Sequence, residues 1–225
     1  MTAVVIVTFG RLDLTRRTLD TLFNSGFDPK QVTITVVDNR SQPEVVAMLL
    51  EYRNHIDNLV LLKQNRGKPY AWNLGARVAQ EQCRAVNITP PDYFLFCDSD
   101  LDFKLGWHEK MTSAYKEHKD LPLCALSGMR WPAHKLDGLQ KGKTTEVNMV
   151  RFPPGCCILM SAEMFRVNGP WDTQRLIRTV DTTYFRNAQR RGYKNASIHP
   201  NTVIEHTGKK ARTWHIQTGK PKLLP

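Results

Sequence analysis

The run YFLFCDSD, residues 93–100, carries the reading of the fold. Tyr93 to Cys97 is apolar throughout, as in a strand buried on both faces, and it leads straight into the carboxylates Asp98, Asp100 and Asp102. In open α/β sheets ligands collect at the carboxyl ends of strands, so these acids mark a candidate site. Towards the N-terminus the same logic recurs. Ala3 to Thr8 is a β-branched apolar run, followed by a helical stripe of Leu12, Leu19, Leu22 and Phe23. VTITVVDN (32–39) is a second strand ending in Asp38, with a helix from Pro43 to His55, a third strand from Leu59 to Lys63 and a helix from Tyr70 to Gln82. Strands alternating with helices predict a mostly parallel sheet flanked by helices.

Towards the C-terminus the pattern calls for a helix over 105–118 and a short strand at 124–127. Gly, Pro and Lys then break regularity from 129 to 154, which reads as a long loop or hairpin. CILMSAEMF resumes a strand and helix, VDTTYFRNAQRRG forms a helix ending at Gly192, and YKNASI a last strand. No repeat or interdomain linker interrupts the chain. The expectation is a single α/β domain over 1–208, its halves about 1–102 and 103–208, with a basic tail over 209–225.

The 225 residues, 41% hydrophobic and 24% charged, suit one globular domain and exclude disordered and collagen-like classes. No apolar run is long enough for a membrane span and no leader is evident, so a soluble, cytoplasmic protein is expected, the host cytoplasm if the source is viral. The five cysteines contain no C-x-x-C pair, which argues against a disulfide framework or a zinc knuckle and fits a reducing compartment. Lys and Arg number 32 against 21 Asp and Glu, a net charge of +11 that favours polyanionic partners.

Several chemistries fail on spacing. TFGRLD offers one glycine where a dinucleotide fingerprint needs G-x-G-x-x-G. In NRGKPY, Leu62 replaces the first P-loop glycine and Pro69 its Ser/Thr. Asp98, Asp100, Asp102 and Glu109 fall on calcium-loop positions, but Phe103 stands where that loop requires glycine. The zinc-deaminase signature is absent. What remains is Asp98-Ser99-Asp100 at a strand end, two hard oxygen ligands suited to Mg²⁺ or Mn²⁺ bridging to substrate phosphates.

The order of VVIVTFGR, VTITVVDNRS, NRGKPYAWNLGA, FLFCDSD, PPGCCILMSAEMFRVNGPWD, VDTTYFRNAQRRGYK and VIEHTG resembles the GT-A glycosyltransferases, family 2 in particular, over residues 3 to 208. That resemblance implies a metal-dependent inverting enzyme that moves a sugar from a nucleotide-sugar donor, a UDP-sugar first, to an acceptor hydroxyl. It implies that Thr8, Asp38 and the Arg66-Gly67 turn surround base and ribose, that Asn73 is the polar residue on the next helix, and that Asp98 lies against ribose and sugar. Asp100 and the late His206 would hold the metal. Asp181 would be the base, although Val180-Asp181 replaces the family's Glu-Asp pair, and Asp172 in GPWD competes for that role. Alone, His206 would read as a packing histidine and Asp181 as a helix N-terminal carboxylate.

The charge excess points to the acceptor. Residues 175–194 hold six basic residues against Asp181, and the segment from 207 holds five with no acid. Trp131, Arg190, Lys209 and Trp214 are candidate acceptor contacts, a mixture that suits phosphates and stacked bases. A hydroxymethylated base in DNA, as modified by glycosyltransferases of some bacterial viruses, is one concrete acceptor. A surface glycan or lipid-linked acceptor is the alternative. A nucleotidyltransferase would lack its glycine-rich activation loop, and a non-catalytic nucleic-acid-binding module would leave the ordered acids unexplained. Oligomeric state is not legible.

Overall fold

The computed structural model describes residues 1–129, 136–174, 180–200 and 202–207. The chain begins with β1 (Thr2–Thr8), α1 (Leu12–Phe23), β2 (Val32–Asp38), α2 (Pro43–Glu51), β3 (Asn58–Leu61), α3 (Lys68–Ala85) and β4 (Tyr93–Asp98). Next come β5 (Leu101–Phe103), α4 (Trp107–Glu117), β6 (Leu123–Ser127), the hairpin β7 (Leu136–Lys141) and β8 (Glu146–Val150), β9 (Cys157–Ser161), α5 (Ala162–Asn168), α6 (Val180–Arg190), β10 (Lys194–His199) and β11 (Ile204–His206).

Nine strands form one sheet in the order β3-β2-β1-β4-β9-β6-β10-β8-β7. The first four are parallel, as the βα alternation requires. Among the described strands of this sheet, β9 and β8 run against the rest, a departure from pure alternation. The reason is local: β9 is not reached by a helical crossover but inserts beside β4 after the hairpin, where antiparallel pairing needs no crossover. The stretch 129–154, expected to be a loop or hairpin, holds the β7–β8 hairpin. Two short strands escaped the sequence reading: β5 and β11 pair antiparallel as a separate ribbon, with His206 opposite Leu101.

The strand pleat divides the core into two faces. Val4, Ile6, Ile34, Val36, Leu95 and Cys97 pack with α1, α2 and α4 on one side. On the other, Ala3, Val5, Val7, Phe94 and Phe96 pack with α3, α5 and α6. Gly75 lets α3 lie close on β1 and β2, for a Cβ there would overlap the Val5 side chain and stand 3.2 Å from Val37 Cγ2. All five cysteines are free and buried. Burial pushes the Cys97, Cys124 and Cys156 thiols up, Cys124 to about 12, which makes them packing residues rather than nucleophiles. Among the described residues no helix is long and apolar enough to cross a membrane.

Candidate active site at the carboxyl ends of the strands

The site is assembled where β1, β2 and β4 end side by side, with Thr8 opposite Asp38 and Val7 opposite Asp98. Thr8 is fully buried, its hydroxyl 2.9 Å from that of Thr15, so it secures the turn from β1 into α1. That turn places Gly10 and Arg11 at φ 67° and 56°, left-handed values uncommon for a residue with a side chain.

Asp38 is buried, and its Oδ2 accepts from the Ser41 backbone N–H at 2.9 Å while its Oδ1 has no partner. Beyond it, Asn39 organises the next loop. Its amide donates to Asn65 Oδ1 at 2.8 Å, its own Oδ1 accepts from the Arg66 N–H at 2.8 Å, and Asn65 Oδ1 also accepts from the Gly67 N–H. The Arg66-Gly67 turn is thus tied to the end of β2, with the Arg66 guanidinium 4.6 Å from the Tyr70 ring centre.

Asp98 meets Lys68, whose Nζ lies 2.9 and 3.1 Å from its two oxygens and 3.1 Å from the Gly155 carbonyl. Burial pulls the Lys68 ammonium down, but Asp98 overrides it and holds the group above its usual value. Burial, with Asp100 nearby, raises the Asp98 carboxyl against the opposing pull of Lys68. Asp100 is 2% exposed; its Oδ2 lies 2.5 Å from Arg11 Nη1 and 3.3 Å from His206 Nε2. Burial opposes its charge, yet His206, Arg11 and Lys68 together hold it below the ordinary carboxylate range. Reciprocally, the hydrogen bond to Asp100 raises His206 above its usual value despite burial. Asp100 Oδ1, like Asp38 Oδ1, is buried without a partner.

His206 reaches Asp100 because β11 zips onto β5. Thr207 completes the link, its N–H and hydroxyl donating to the Asp100 carbonyl at 2.9 and 3.0 Å.

Asp181 stands in the first turn of α6, against Gly155. A Cβ on Gly155 would come 2.8 Å from its Cγ and overlap its carboxylate. Because the same glycine's carbonyl accepts from Lys68, Asp181 is brought to the Asp98–Lys68 pair. Asp172 is exposed in a turn, where its Oδ1 accepts from the Gln174 N–H at 2.9 Å.

The structure therefore gathers Thr8, Asp38, Arg66, Gly67, Asp98, Asp100, His206 and Asp181 along one edge. Asn73 lies apart in its bonding: its amide exchanges two hydrogen bonds, 2.8 and 2.9 Å, with the Trp171 backbone, docking the segment before α6 onto α3. Arg190 is exposed on α6, whereas Trp131, Lys209 and Trp214 lie outside the described residues. Arg11, Lys68, Asn39, Asn65 and Gly155 were not singled out from sequence. Arg11 and Lys68 stand inside TFGR and NRGKPY, and a cation just past a strand end facing D-x-D was the available signal.

A family model described as Glycosyl transferase family 2 matches residues 3–166. The chain belongs to glycosyl transferase family 2. Its fold is that of solved GT-A members. The structure is similar to S. aureus TarS, with a TM-score of 0.68 and 14% identity over 96% of this chain and 38% of that one. It is similar to GalNAc-T7 solved with UDP, GalNAc and Mn²⁺, with a TM-score of 0.68 and 13% identity over 92% and 43%. It also resembles the mannosyltransferase PcManGT from Pyrobaculum calidifontis, solved with GDP-Man and Mn²⁺, with a TM-score of 0.63 and 18% identity over 96% and 60%. The chain thus spans 38–60% of the length of these proteins. No curated protein matches it in sequence. The family match ends before Asp181 and His206.

Proposed function

We propose that this family 2 chain is an inverting glycosyltransferase that takes a sugar from a nucleoside diphosphate sugar, a UDP-sugar first, and passes it to a hydroxyl of a polyanionic acceptor. The observation that carries the donor half is the pair of buried, unpartnered carboxylate oxygens, Asp38 Oδ1 and Asp100 Oδ1, at the end of β2 and just past the end of β4, the two strands that flank β1. A buried carboxylate oxygen without a donor is costly, so each calls for a partner from a ligand.

Asp38, beside Thr8 and the Arg66-Gly67 turn, is suited to accept from the ribose or base. Asn73, with its amide spent on Trp171, would act by positioning α3. Asp98 would face the ribose and sugar. Asp100 and His206 fit a divalent ion such as Mn²⁺ or Mg²⁺: a hard oxygen and an imidazole on one side, with diphosphate and water supplying the rest. Among the described residues no cluster of three such protein ligands exists, so a shell shared with the donor fits best. When bound, the ion would stabilise charge on the departing diphosphate.

The protein's own part is positioning and proton transfer. Lys68 and Arg11 bring positive charge to the carboxylates and so to any diphosphate between them. Asp181, against Gly155, would accept the acceptor hydroxyl's proton as that oxygen attacks the anomeric carbon and the diphosphate leaves from the opposite face. Attack opposite the leaving group inverts the centre.

Basic charge on and around α6 supports a polyanionic acceptor, and duplex DNA carrying hydroxymethylcytosine is the acceptor to test first. UDP release from a panel of UDP-sugars with Mn²⁺ is measured with modified duplex, unmodified duplex and no DNA. Release stimulated by the modified duplex alone supports the whole reading. Release indifferent to DNA leaves the donor half standing and favours a glycan or lipid-linked acceptor. No release from UDP- or GDP-sugars contradicts it.

A further inference from the structure

Beside Asp181 the chain builds a second basic feature that the donor site does not use. Phe152, half-buried between β8 and Gly155, carries two guanidinium groups on its ring: Arg151 at 5.4 Å and Arg186 at 5.6 Å from the ring centre. Among the described residues neither has a carboxylate within ion-pair distance, and Arg190, one turn beyond Arg186, has none either. Arg191 differs, for its Nη1 donates to the Val167 carbonyl at 2.9 Å and to Asn168, so its charge fixes the end of α5.

The feature is held from three elements. Gln189 Nε2 of α6 and Asn195 Nδ2 of β10 both donate to the Arg151 carbonyl, at 2.6 and 3.0 Å. Asn195 and Ser197, neighbours on the same face of β10, are each 1% exposed, and Asn195 Oδ1 and Ser197 Oγ have no partner. With no carboxylate partner among the described residues, two guanidinium groups held on one aromatic ring can both turn to one anion, and a guanidinium fork matches a phosphate's oxygens. Arg186 lies five residues from Asp181, about 7.5 Å along the helix axis and about 140° around it, and Arg151 is four residues from the glycine that touches Asp181, so the two arginines flank the base from the side rather than share its helix face.

We infer that Arg151, Phe152 and Arg186, extended by Arg190, form a phosphate clamp that holds a nucleic-acid acceptor so that its hydroxyl meets Asp181. The inference rests on the donor-site reading above and adds the surface that selects the acceptor. Nucleic acid is favoured over an anionic glycan because the two cations here are gathered on an aromatic side chain, the pairing that suits phosphates next to stacked bases.

The test is fluorescence anisotropy of a labelled duplex, with and without hydroxymethylcytosine, over a salt series, beside calorimetric titration of UDP with Mn²⁺. The proteins are the wild type, Arg151→Gln/Arg186→Gln, and a charge-matched control, Arg53→Gln/Arg84→Gln, altered at the carboxyl ends of α2 and α3 on the opposite edge of the sheet. The clamp variant should bind duplex about tenfold more weakly. Its slope of log affinity against log salt should be shallower by about 2, the loss of two phosphate contacts, with UDP binding unchanged. The control should keep the wild-type slope. An unchanged slope in the clamp variant, an equal loss in the control, or tighter wild-type binding of a sulfated polysaccharide than of duplex overturns the clamp. Absence of UDP binding in the wild type contradicts the donor reading instead.

Discussion

Among single residues, acids that look alike in sequence stand in different surroundings and so take different parts. Asp100 is almost wholly buried, held ionised by Arg11 and His206, and presents one free oxygen; Asp181 stands at the start of a helix against Gly155, whose carbonyl accepts from the Lys68 that pairs with Asp98. Asp100→Asn should therefore weaken Mn²⁺-dependent UDP binding by at least tenfold, read by titration with and without the ion. Asp181→Asn should leave UDP binding intact and lower transfer by about 10² to 10⁴, the usual worth of a general base; the opposite pattern would exchange the two roles. Gly155→Ala should resemble the Asp181 variant in kind, since a methyl group there must displace the carboxylate. Asp38 and Asp98 were legible in sequence because each ends an apolar run, and Asp100 because it completes D-x-D with Asp98. Arg11 and Lys68 were not, because their meaning lies in which acid they face, and that pairing spans 89 and 30 residues.

At the scale of elements, the first three βα units were readable because buried parallel strands and amphipathic helices differ in period; their boundaries shifted by a few residues at most, apart from the helix placed to His55, which ends at Glu51. The β5–β11 ribbon was not readable, since three-residue strands have no period and their pairing is fixed by closure around Asp100. Gly75 was equally silent, yet α3 rests on it: Gly75→Ala should cost about 1 to 3 kcal/mol and lower the melting temperature, as overpacking does. The β7–β8 hairpin is tied to α4 by Glu117, whose carboxylate accepts from the N–H and hydroxyl groups of both Thr144 and Thr145, pulling it down to about 2. A depressed carboxyl pKa stabilises above its unfolded value near 4.5 and loses that contribution as pH falls towards 2. Hydrogen exchange at Thr144 and Thr145 should show protection that is steady above about pH 5 and falls between 4.5 and 2, beyond any change in Glu117→Gln; a Glu117→Gln profile matching the wild type would remove Glu117 from the account.

At the scale of the molecule, one edge of a nine-stranded sheet carries both halves of the reading. The parallel strands β1, β2 and β4 bring in the donor carboxylates, the β5–β11 ribbon returns His206 to them from the far end of the described chain, and α6 delivers Asp181 with the Phe152 clamp alongside. Part of the net charge of +11 gains a location at this scale: among the described residues Arg151, Arg186 and Arg190 have no carboxylate within ion-pair distance. If the proposed function holds, the two unpartnered oxygens of Asp38 and Asp100 receive a nucleoside diphosphate and its divalent ion. Calorimetric titration of UDP into the wild type and into Asp38→Asn/Asp100→Asn, each with Mn²⁺ and with chelator, tests it most directly. The account predicts Mn²⁺-dependent one-to-one binding to the wild type that the double substitution abolishes; equal binding to both proteins, or none to the wild type by UDP or GDP, would contradict it.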